Sequence, residues 1–81
     1  MSINLCIDWG NTSIKAAVFQ NDAIQKQISF GEGEAMEKIS SLISLFQPEY
    51  AVLCAVVKHS GEVANLVRSM VKHLVVVDGH T

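Results

Sequence analysis

Little in this sequence marks a large, secreted or membrane-inserted protein. Its 81 residues hold one proline, one tryptophan, one tyrosine and a single arginine, Arg68. No linker, repeat or low-complexity segment appears, and the length confines the chain to one domain, residues 1–81, with a small core. The two cysteines, Cys6 and Cys54, lie inside apolar runs without Cys-x-x-Cys spacing, which fits buried reduced thiols better than a metal or redox centre. The longest apolar run, Tyr50 to Val57, is too short to span a bilayer, and no basic segment precedes the first strand. A soluble cytoplasmic protein with no membrane partner is the expectation. A formal net charge of −2 leaves no electrostatic footprint for duplex DNA, so no nucleic-acid partner is expected.

What is present is a packed globular pattern, 49% hydrophobic and 17% charged. Ile3, Leu5 and Ile7 alternate up to Asp8, Ile14 to Phe19 form a second extended run, and Ile24, Ile28 and Phe30 mark a third strand with one wetter face. Met36, Ile39, Leu42, Ile43 and Phe46 recur at helical steps before Pro48 stops the helix. Tyr50 to Val57 reads as a fourth strand, and Ser60 as the N-cap of a second helix. That helix carries a Val63, Leu66, Val67, Met70 and Val71 stripe, with Lys72 and His73 at its end. Leu74 to Val77 make a fifth strand.

The order is βββαβαβ. An antiparallel meander followed by two right-handed crossovers predicts an α/β fold with a mixed five-stranded sheet, its first strand interior and both helices on one face. The opposite face is then left bare, although the fourth and fifth strands are apolar on both sides. Its cover is either later sequence of a longer protein or a second copy, the latter making a homodimer through an exposed apolar sheet face.

The segment Asp8-Trp9-Gly10-Asn11-Thr12-Ser13 carries the chemistry. Gly10 and Asn11 best tolerate positive φ, so their amides can point at an anion, with the Thr12 and Ser13 hydroxyls as further donors and Lys15 as a cation. Asp8, ending a central strand, is placed to hold a nucleotide's Mg²⁺, usually through water. An ordinary hairpin turn closed by local hydrogen bonds is the bland alternative. The three histidines, His59, His73 and His80, fit no common zinc spacing, Met36 and Met70 read as core filler, and Glu32, Glu34, Glu37 and Lys38 as solvated surface.

The string Ile7 to Lys15 resembles the first phosphate motif of the sugar kinase, heat-shock-protein and actin superfamily. More narrowly, Asp-x-Gly-Asn-Thr-x-x-Lys resembles the opening of type III pantothenate kinase, which phosphorylates pantothenate with ATP in coenzyme A synthesis. The resemblance implies a ribonuclease H-like half-domain in which Asp8 is the metal-linked acid, Gly10, Asn11 and Thr12 the phosphate loop, and Lys15 a phosphate-facing cation. It implies ATP and Mg²⁺ as cofactors. In the full-length family it adds a monovalent cation, K⁺ or NH₄⁺, and pantothenate.

This chain departs from the family in reading Cys54-Ala55-Val56-Val57-Lys58 where serines are frequent. It has no Asp-Arg pair to match the family's Gly-x-Asp-Arg segment, which holds pantothenate and supplies the catalytic base. The base is therefore expected beyond Thr81, and the chain alone is expected to be inactive as a kinase. Two other classes share the pattern. Ribonuclease H-like nucleases of the Holliday-junction-resolvase type open with an Asp-x-Gly hairpin, but need further carboxylates that Tyr50 to Val57 does not offer. A non-enzymatic nucleotide- or partner-binding half-domain is the other.

Overall fold

The computed structural model describes residues 3–10, 12–55 and 61–78. Strands β1 (Ile3–Trp9), β2 (Ile14–Gln20) and β3 (Ala23–Phe30) form the meander, followed by helix α1 (Ala35–Phe46), strand β4 (Tyr50–Ala55), helix α2 (Gly61–Met70) and strand β5 (His73–Asp78). The expected N-cap Ser60, the histidines at 59 and 80, and Asn11 lie outside the described residues.

The five strands assemble in the order β3-β2-β1-β4-β5, antiparallel across β1, β2 and β3 and parallel across β1, β4 and β5. This is the mixed sheet with an interior first strand that the element order predicts. β1 becomes central because the meander can occupy only one of its edges, while a crossover must return beside the other.

Strand alternation sorts side chains between the two faces. Leu5, Ile7 and Trp9 point to the helix side with Ala16, Val18, Ala51 and Leu53, and all are buried. They share one core cluster with Ile39, Leu42 and Ile43 of α1 and Val63 and Val67 of α2, so both helices cover the same face. A fully buried Leu or Ile stabilises the fold by about 1.5–3 kcal/mol, which makes this single layer the main source of stability.

Local signals set the connections. Asn21 (φ 52°) and Asp22 (φ 68°) both lie in the left-handed region, the conformation that a two-residue hairpin of right-twisted strands requires. Helix α1 ends at Phe46, two residues before Pro48, with Gln47 left-handed at φ 52° and ψ 57° and its amide donating to the Ile43 carbonyl at 2.8 Å. The amide of Glu49 donates to the Ile3 carbonyl at 3.0 Å, tying the start of β4 to β1.

Several expectations are corrected. His73 does not end the second helix; it opens β5, stacked on Tyr50 with ring centroids 5.0 Å apart, because the amides of Lys72 and His73 both donate to the Glu49 carbonyl and pull the chain into the sheet. Met36 and Met70 are not core filler but 42% and 39% exposed, since each sits at the border of its helix's buried stripe near a helix end. Leu66 is half-buried, and the second helix's buried stripe narrows to Val63 and Val67, continued by Val71 beyond its end.

The sheet face away from the helices is bare as expected, with Val75 and Val77 exposed and Val52, Cys6 and Cys54 half-buried. β5 departs further from expectation: helix cover reaches Leu74 but not Val76, which is 46% exposed on the helix side.

Candidate functional site

Strand β1 runs through Trp9, so the bend is shorter than the sequence suggests and spans Gly10 to Ser13. The Gly10 amide donates to the Ser13 carbonyl at 3.0 Å and closes the hairpin. That corrects one part of the anion-nest expectation, because this amide is spent on the turn. Gly10 does not have positive φ. Glycine is needed there for space, since a Cβ at this position would lie 3.0 Å from the Ser13 carbonyl oxygen. Among the described residues, none accepts a hydrogen bond from the amides of Thr12 and Ser13. Both residues are exposed. These amides and hydroxyls are the donors left for an anion.

Directly below the bend, Asp8 of β1 stands opposite Lys15 of β2 in antiparallel register. Residues so paired have Cβ atoms about 4.5–5.5 Å apart on one face. Both are exposed, on the bare side of the sheet, with Cys54 of β4 in register on the other flank of Asp8. A carboxylate and an ammonium are thus brought together at the C-terminal end of the central strand, where parallel α/β sheets place their ligands. Of the six sequence-derived candidates, Asp8 and Lys15 are neighbours, Thr12 and Ser13 crown them, Gly10 shapes the bend, and Asn11 lies outside the described residues.

The sequence reading missed Cys54 and Cys6 as neighbours of this acid. Burial pushes the Cys6 thiol above its ordinary value of 9.0, with Cys54 and Asp8 acting in the same direction. The thiol therefore stays protonated and poorly nucleophilic. Period-two alternation holds the clue to this proximity, as it puts Cys6 and Asp8 on one face.

Trp9 belongs to the opposite side. It is buried on the helix face, where it lines an open cleft of about 560 Å³ with Glu32, Ala35, Met36, Glu62 and Val63. It is a core residue and not part of the bend. Among the described residues no group of three or more His, Cys, Asp or Glu is placed to hold a metal ion. No described helix is long and apolar enough to cross a membrane.

No protein-family profile matches the sequence, and no curated protein does. Solved structures do. A Bacteroides thetaiotaomicron protein with an actin-like ATPase fold and unknown function superposes with a TM-score of 0.64 at 11% identity, over 94% of this chain and 32% of its own. The PPX-GPPA enzyme of Aquifex aeolicus superposes with a TM-score of 0.54 at 16% identity, over 93% of this chain and 36% of its own. The chain spans about a third of the length of these neighbours. With its strand order β3-β2-β1-β4-β5 and both helices on one face, and with these superpositions, the chain has the fold of a half-domain of the actin-like, ribonuclease H-like class.

Proposed function

We propose that this chain is the ATP-phosphate-binding half of an ATP-dependent phosphotransferase, specifically of the type III pantothenate kinase kind. The observation that carries the reading is the pairing of exposed Asp8 with Lys15 beneath a bend whose Thr12 and Ser13 amides have no acceptor among the described residues. Those donors suit phosphate oxygens, Lys15 adds positive charge, and Asp8 would hold the nucleotide's Mg²⁺ through water. ATP would supply the phosphoryl group. Pantothenate as acceptor rests on the likeness of the Asp8 to Lys15 string alone, and so does a monovalent cation.

Phosphoryl transfer requires both substrates to be positioned around the metal, which a single half-domain cannot do. The property expected of the chain itself is therefore weak Mg²⁺-dependent nucleotide binding. Following the amide resonances of Thr12, Ser13 and Lys15 during titration with Mg·ATP tests it. Saturable shifts with a dissociation constant on the order of 1 mM, losing their Mg²⁺ dependence in Asp8→Asn, are the expected result. Silence of these resonances up to about 10 mM nucleotide would sink the reading. Trp9 fluorescence is a poor reporter, because its ring is buried on the other side of the sheet.

The nuclease alternative is weaker. The positions flanking Asp8 on its face are Lys15 and Cys54, and a second metal-bridging carboxylate is required there.

A further inference from the structure

We infer that Cys6 and Cys54 together form a two-coordinate thiolate site for a soft monovalent cation of the Cu(I) kind, on the bare face of the sheet. The two residues are remote in sequence, but β1 and β4 are parallel neighbours, with Cys6 in register with Val52 and Cys54 in register with Asp8. They are therefore diagonal neighbours across the strand pair. Period-two alternation puts both on the face away from the helices. Both are free thiols and half-buried, so solvent reaches them. Besides burial, the charge of Cys54 raises the Cys6 thiol above its ordinary value, so each sulfur lies within electrostatic reach of the other.

The spacing separates the things that two thiols can do. Strands about 4.8 Å apart and a two-residue rise of about 6.6 Å set the Cα atoms roughly 8 Å from one another. A disulfide needs about 4.4–6.8 Å, so the strands would have to shift to close one. A metal–sulfur bond is about 2.3 Å long, and an ion held on the line between two sulfurs spans about 4.6 Å, which side chains leaning toward each other can meet. Zinc takes four ligands, and among the described residues no group of three or more His, Cys, Asp or Glu is placed to supply them. Thiolates select Cu(I), for which two ligands suffice. Ala17 and Val52 flank Cys6, and Val77 flanks Cys54, an apolar setting that suits a weakly hydrated ion. Asp8 beside Cys54 adds negative charge that a cation offsets. Binding changes no oxidation state: two S–H bonds break, two S–Cu bonds form, and both protons pass to solvent.

Titrating the reduced 81-residue chain into Cu(I) held by bicinchoninate, and following the loss of the chelator complex's colour, tests the inference beside Cys6→Ser and Cys54→Ser. The expected result is one Cu(I) withdrawn per chain, with a sulfur-to-copper absorption band in the ultraviolet. Either variant should lose more than the roughly 100-fold in affinity that substituting an outer-shell partner costs, with far-ultraviolet circular dichroism unchanged. As a check that needs no variant, one equivalent of Cu(I) should protect both thiols together from alkylation by iodoacetamide. No transfer from the chelator overturns the inference. So does one ion per two chains, affinity kept in either single variant, or protection of one thiol alone.

Discussion

At Gly10 the turn and the candidate site meet. Its amide holds the Ser13 carbonyl, and the same carbonyl oxygen leaves a Cβ only 3.0 Å of room. Gly10→Ala must therefore push the carbonyl back and weaken the closing hydrogen bond, which contributes roughly 0.5–1.5 kcal/mol. Urea titration should show a loss of about 1 kcal/mol, with amide shifts concentrated at Thr12 and Ser13. An unchanged midpoint and unchanged shifts would mean the bend is not held as described. Asp8 and Lys15 were legible as candidates from the Asp-x-Gly-Asn-Thr-x-x-Lys string. Their direct opposition was not, because it depends on how many residues the bend consumes, and the structure ends β1 at Trp9 where the sequence suggested Asp8.

Among the elements, α1 shows how local chemistry and tertiary context share control. Its buried Ile39, Leu42 and Ile43 follow helical spacing, and Pro48 fixes where it must stop. The residue that turns the chain is Gln47, held left-handed at φ 52° although it has a Cβ. An L-residue with a side chain is disfavoured there, and glycine is the usual occupant of such a helix terminus. Gln47→Gly should raise stability by about 0.5–1 kcal/mol, read as a higher denaturation midpoint with an unchanged slope. A lower midpoint would show that the glutamine side chain contributes more than its backbone costs. For the second helix, apolar spacing predicts a wider stripe than the Val63 and Val67 the structure buries. The sequence cannot show how far β5 extends under α2, so Leu66 and Met70 looked equivalent to Val63 and Val67.

Considered whole, the molecule has one covered and one bare sheet face, and about a third of the length of its structural neighbours. Incubated with ATP, Mg²⁺, K⁺ and pantothenate, the chain is expected to form no phosphopantothenate above the enzyme-free rate. Clear turnover would show that one half-domain positions both substrates, contrary to the argument from transfer geometry. The amino-acid sequence by itself determined the element order, the mixed sheet and the side of it that the helices cover, since apolar period and crossover handedness leave few alternatives. Only the tertiary structure decided that Asp8 faces Lys15, that Trp9 turns away from the bend into the core, and that Val76 stays bare beside the helices. Those outcomes depend on strand register and helix reach, which are set by packing across the sheet and not by any local run of residues.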